Sequence, residues 1–307
     1  CNTIVSGGIA RSEDSILSSA TILTNITVSG TQSNETGTTT VNTFVAGAIG
    51  EMQQSGASEN AQIRSTGVTA NIDLTGLSVN YLNTSLGVAY IGGNSARIES
   101  SLFTGYVNST TITNDETGDT TDSLNTITSV HYGGIVAQSE SAVLTISESM
   151  AYVQEVNIGS GGTSSLFAGG LVGEASSLSI NDALTAGRIY PITNSYNDNS
   201  VLMLGGLVGE ADGLTITRAI SLESIFLNEI ANDMLPHAQT GALYASAGRE
   251  DAEGNVTGVN IVDVYYSSDL ALVTQSEDVG TNLSVNLLIN QQSIYMPNFN
   301  TDNTTIW

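Results

Sequence analysis

Gly169-Gly170-Leu171-Val172-Gly173 and Gly205-Gly206-Leu207-Val208-Gly209 are one five-residue pattern written twice, 36 positions apart. Outward from this pair the pattern recurs in looser form as Gly7-Gly8-Ile9, Gly47-Ala48-Ile49, Ala89-Tyr90-Ile91, Gly133-Gly134-Ile135 and Gly241-Ala242-Leu243. Measured on the apolar residue of each box, the steps along the chain are 40, 42, 44, 36, 36 and 36. A period in this range marks a repeat architecture, in which no unit buries its own apolar face and each must stack on its neighbours. The 307 residues therefore read as one continuous array.

Within a unit the box leads into an alternating strand, as in Leu178-Ser179-Ile180 and Leu214-Thr215-Ile216, with apolar side chains on one face and Ser or Thr on the other. Three and four residues beyond that Ile stand a small residue and a large apolar one: Ser101-Leu102, Ser149-Met150, Ala183-Leu184, Ala219-Ile220 and Val264-Tyr265. Nine beyond it comes another apolar residue, at Val107, Ile189 and Ile225. About three short strands and a polar loop per unit predict an all-β fold, a right-handed parallel β-helix of about seven coils. Residues 1–263 form the β-solenoid repeats and residues 264–307 a C-terminal cap or inter-subunit latch. Leu171, Leu207, Ile180, Ile216, Leu184 and Ile220 are expected to be buried in vertical stacks. The double glycines are expected at corners, where they permit positive φ and close approach of neighbouring coils. Loops are expected near residues 31–40, 110–126, 159–165 and 191–200.

Thirty acidic residues stand against six arginines and no lysine, a net charge of -24. Such a surface repels phosphate backbones and anionic headgroups, which argues against nucleic acid and against electrostatic membrane binding. The absence of lysine removes Schiff-base chemistry. The single cysteine is Cys1, so packing and ladder hydrogen bonds must hold the stack without a disulfide. Cys1-Asn2-Thr3 resembles the start of a mature bacterial lipoprotein, which makes Cys1 the candidate lipid-attachment site and the only route to a membrane.

The stretch Ile98-Glu99-Ser100-Ser101-Leu102-Phe103-Thr104-Gly105-Tyr106-Val107, with the two sharp boxes, is similar to the GLUG-motif repeats of bacterial surface and secreted proteins. That resemblance implies a β-solenoid of the kind found in adhesin stalks and implies no catalytic residues.

Asp115, Glu116, Asp119 and Asp122 crowd one loop and are the candidate calcium ligands, calcium being the one cofactor considered. Their spacing matches neither an EF-hand nor a glycine-aspartate nonapeptide, and a solvated loop is the competing reading. The two histidines, His131 and His237, fall about three coils apart and fit packing or surface hydrogen bonds rather than a metal pair. Glu51, Glu174 and Glu210 recur after their boxes and are expected to line one ridge. A polysaccharide-degrading β-helix needs converging carboxylates, which this pattern does not demand. The expectation is a non-enzymatic extracellular structural protein, secreted or anchored at the cell surface, either an adhesin stalk or the subunit of a self-assembling filament. The alternative is a polysaccharide-binding or polysaccharide-degrading β-helix, with a surface glycan or host-surface ligand as partner. Self-association into a homopolymer is expected through Ile4 and Val5 at one end and Tyr265, Tyr266, Tyr295, Phe299 and Trp307 at the other, because unpaired strand edges attract partners.

Overall fold

The computed structural model describes residues 3–31, 42–56, 61–75, 77–108, 129–160, 165–193, 201–227, 238–250, 256–267 and 280–282. Every strand pairing among them is parallel except the short pair Arg249–Glu250 with Val256–Thr257. The first sheet stacks seven short strands in the order Thr3–Ser6, Asn42–Ala46, Tyr81–Ser85, Ser129–Gly133, Ser165–Gly169, Leu202–Gly205 and Ala238–Gly241. Each hands over at its corner to a 16-stranded second sheet. The result is an all-β protein of parallel strands in curled sheets, an architecture compatible with a β-solenoid.

The corner residues explain the hand-over. A Cβ on Gly169 would stand 2.1 Å from the Val172 carbonyl oxygen, and one on Gly205 only 1.8 Å from that of Val208. Glycine is required there because backbone folds onto backbone. Positive φ, the other expected reason, belongs to a different corner, since no box glycine adopts it among the described residues. Ser19, Ser65, Ser100, Glu148, Asp182, Arg218 and Asp263 all hold φ between 46° and 56°. Strand register places them one above another. One left-handed residue turns the chain without interrupting the ladder. For that reason Val172–Thr193 and Val208–Ile225 run as single strands of 22 and 18 residues where separate short strands were expected.

The small residue after this corner is buried in Thr66, Ser101, Ser149, Ala183 and Ala219. Ser101 and Ser149 use their hydroxyls there, each donating to the carbonyl two residues back. Ile180, Ile216, Leu171 and Leu207 are fully buried in one continuous core, as the alternation implied. Val107, Val156, Ile189 and Ile225 stack in register in the same core.

Several details of the expected layout look different in the folded stack. The third box is not Ala89-Tyr90-Ile91: Val88 pairs with Ile49, and Ile91 pairs with Met52. The glycine of that corner is Gly87, alone, with Leu86 at the position held by Gly47, Gly134, Gly170 and Gly206 in other units, which concealed it. Leu184 and Ile220 are buried and stacked in register as expected, in a cluster of their own with Met150, Ala186, Leu222 and Tyr265 on the outer face of the long strands. Of the expected loops, 159–160 and 191–193 are strand ends, and most of the remainder lies outside the described residues. The boundary drawn after residue 263 falls within the strand Val259–Tyr266.

Candidate functional site

Two outward columns meet beside the glycine corner. On the first sheet Phe44, Asn83, His131 and Phe167 stand in register, and on the second Glu51, Tyr90, Gln138, Glu174 and Glu210. The ridge expected for Glu51, Glu174 and Glu210 is therefore one register position, shared with Tyr90, Gln138 and, at its start, Arg11. At its centre four side chains close a ring. His131 Nε2 lies 2.7 Å from Glu174 Oε2, and His131 Nδ1 lies 2.9 Å from Asn83 Oδ1. Asn83 Nδ2 donates to Gln138 Oε1 at 2.8 Å, and Gln138 Nε2 donates to Glu174 Oε2 at 3.0 Å.

Burial pushes the Glu174 carboxyl up, but the hydrogen bonds from His131 and Gln138 outweigh it and hold the group below its ordinary range. Its neighbour Glu210 is raised by burial and by the charges of Glu174 and Asp212. Phe44 stacks on Tyr90 at 5.2 Å, and His131 on Phe167 at 5.0 Å. Glu174 is thus committed as an acceptor. The ladder ties repeats together, and His131 serves the packing and hydrogen-bonding role expected of it.

A second polar group lies inside the stack. Glu223 is 2% exposed, with Oε1 accepting from the Thr185 hydroxyl. Its Oε2 and the Tyr132 hydroxyl have no partner among the described residues. Burial raises Glu223 to about 8, so the carboxyl is mostly neutral near pH 7. Nothing in the repeat pattern signalled it, because the equivalent position one repeat earlier is Gly187.

The third feature is a cleft of about 740 Å³ on the outer face of the long strands. Tyr106 and Tyr152, 37% and 45% exposed, rise from adjacent strands, with Asn108, Gln154, Glu155, Asn157, Arg188 and Ser224 around them and Ala186 and Leu222 beneath. Arg188 differs from the other arginines. Arg11, Arg64, Arg97, Arg218 and Arg249 each lie within 4.0 Å of a carboxylate, whereas Arg188 has no such partner among the described residues. The sequence held a trace of this face: Leu102 and Tyr106 place large groups on the parity that solvent-facing Ser and Thr occupy elsewhere.

Of the expected site residues, Ile4 packs on the Phe44, Ala46 and Ala89 cluster, and Val5 and Tyr266 pack on the main core. Tyr265 covers the outer cluster beside Ile220. Cys1, Asp115, Glu116, Asp119, Asp122, His237, Tyr295, Phe299 and Trp307 lie outside the described residues. Among the described residues no group of three or more His, Cys, Asp or Glu is placed to hold a metal ion. Comparison with models of known families, with curated proteins and with solved structures finds no match to this chain.

Proposed function

We propose that the chain is a non-enzymatic structural β-solenoid of an extracellular surface, a right-handed coil of about seven turns that extends by stacking on another copy. One observation carries this reading. Ile9 is 37% exposed although its register partner Ile49 is 1% exposed, so among the described residues the apolar cross-section of the first repeat is left uncovered. Strands Thr3–Ser6, Ile9–Glu13, Ile16–Ser18 and Thr21–Thr27 each pair on one side only among the described residues. Uncovered edges above an open core accept another strand layer, and a head-to-tail contact of this kind propagates instead of closing. Right-handedness rests on the general preference of parallel crossovers. The lysine-free, strongly acidic composition suits an exterior setting, with a lipid on Cys1 as the proposed anchor and the loop of Asp115, Glu116, Asp119 and Asp122 as the proposed calcium site. The likeness to GLUG-motif repeats is part of the same proposal.

Sedimentation velocity over a hundredfold range of concentration, with electron micrographs of the same samples, tests the assembly. Rods that lengthen with concentration, and an Ile9→Lys variant that stays monomeric, are expected. A parent protein monomeric throughout, or a variant that assembles equally well, overturns the reading.

A further inference from the structure

We propose that the cleft between Tyr106, Tyr152 and Arg188 is a binding site for a short oligosaccharide that carries a carboxylate. Register places Thr104 opposite Tyr152, so the two tyrosines are set diagonally across neighbouring strands, about 8 Å apart at Cα by strand and ladder spacing. Two half-exposed rings at that separation offer apolar platforms for consecutive sugar rings, whose C–H faces stack on aromatics while their hydroxyls need polar partners at the rim. Gln154, Glu155 and Ser224 supply such partners, and Glu155 is already oriented by a hydrogen bond from Asn157 Nδ2 at 2.8 Å.

A peptide suits this surface less well. The cleft lies on the face of the sheet, where the backbone is engaged in the ladders of Leu102–Asn108, Val143–Ser160, Val172–Thr193 and Val208–Ile225. Leu102–Asn108 and Val143–Ser160, which carry the two tyrosines, each pair with a strand on either side, so neither offers an edge for an added strand.

The charge of the ligand follows from Arg188. A guanidinium is always protonated and presents a planar fork that fits a carboxylate through two parallel hydrogen bonds. In a chain of net charge -24, every other arginine among the described residues is within ion-pair distance of an acid, and the one that is not projects into the cleft. The same net charge disfavours a dense polyanion, so the fitting ligand bears an isolated carboxylate, as an oligosaccharide with one uronic acid does.

Calorimetric titration of the full chain with a trisaccharide containing one uronic acid, and with the same trisaccharide after reduction of its carboxyl to an alcohol, tests the site. The acidic sugar is expected to bind at least tenfold more tightly than the reduced one. Arg188→Gln should remove that preference while leaving the weaker binding of the neutral sugar in place. Tyr152→Ala should weaken both sugars, and Thr69→Ala, outside the cleft, should weaken neither. Circular dichroism and thermal melting of each variant identify any that fail to fold, and Arg188→Lys, which keeps the charge without the fork, then serves in place of Arg188→Gln with partial loss of preference expected. Absence of binding at millimolar sugar, equal affinity for the two sugars, or an Arg188→Gln variant that still prefers the acid overturns the proposal. None of these outcomes depends on assembly through the first repeat.

Discussion

Arg218 and Asp182 face each other from neighbouring repeats, Nε to Oδ1 at 2.5 Å and Nη2 to Oδ2 at 2.7 Å, each on a left-handed backbone with φ of 56° and 52°. The same register position that turns the chain thus also links one repeat to the next. Ser100 and Glu148 do likewise, with the Ser100 hydroxyl donating to Glu148 Oε2 at 2.7 Å. The bidentate geometry leads to a measurable coupling. A double-mutant cycle with Asp182→Ala and Arg218→Ala, followed by urea unfolding, should return about 1 kcal/mol for the pair. A coupling indistinguishable from zero would reduce the contact to a surface ion pair without energetic consequence.

The left-handed corner itself makes a separate prediction at Ser65, which is exposed with φ of 46°. Glycine has no Cβ to strain there, so Ser65→Gly should gain up to about 1 kcal/mol, and the β-branched Ser65→Val should lose about 1–2 kcal/mol. The opposite order of stability would mean that this corner is not left-handed.

Two glycines in one repeat should respond in opposite ways to the same substitution. A Cβ at Gly205 would stand 1.8 Å from the Val208 carbonyl oxygen, while at Gly213 the nearest atom is Ser177 Oγ at 3.7 Å. Gly205→Ala is therefore expected to cost upwards of about 3 kcal/mol or to prevent folding, and Gly213→Ala to change stability by less than about 1 kcal/mol. Thermal melting of the two variants side by side decides it.

Ile216 is fully buried in the main core, whereas Leu222 belongs to the outer cluster and contributes to the cleft. Truncating Ile216 to Ala should cost about 2–5 kcal/mol as a core cavity. Leu222→Ala should cost clearly less, since part of that side chain already faces solvent. Similar losses from both would show that the outer cluster is as enclosed as the core.

Glu223 predicts a pH dependence of stability. Its folded-state value, about 8, stands above the ordinary 4.5, so the folded state holds the proton more tightly than the unfolded chain. The stabilising contribution is complete below about pH 4.5 and declines as pH rises through about 8. Glu223→Gln keeps a neutral group of nearly the same shape, so the variant should match the parent near pH 5 and exceed it at pH 9 by on the order of a few kcal/mol. Unfolding curves at the two values test this, and a variant that loses stability equally at both would remove the buried-proton account.

The amino-acid sequence by itself determined the repeat, its parallel all-β character and the residues of the main core. These follow from short-range pattern: an alternation of period two fixes which side chains share a face, and a fixed step along the chain fixes which residues stack. Ile180 over Ile146 and Ile216 over Ile180 were legible in this way. Tertiary structure decided what the pattern leaves degenerate. Gly87 took the third corner instead of the residues around Ile91, because backbone proximity selects a glycine whatever stands beside it. Leu184 and Ile220 went to the outer face because a single left-handed residue, which leaves no mark in hydrophobic periodicity, reverses the parity of every side chain after it. The ring of His131, Asn83, Gln138 and Glu174 gathers residues from three repeats, and the cleft pairs Tyr106 with Tyr152 and Arg188 across a further set of strands. Such sites are made by stacking distance rather than by sequence distance, and only the folded stack brings their members together.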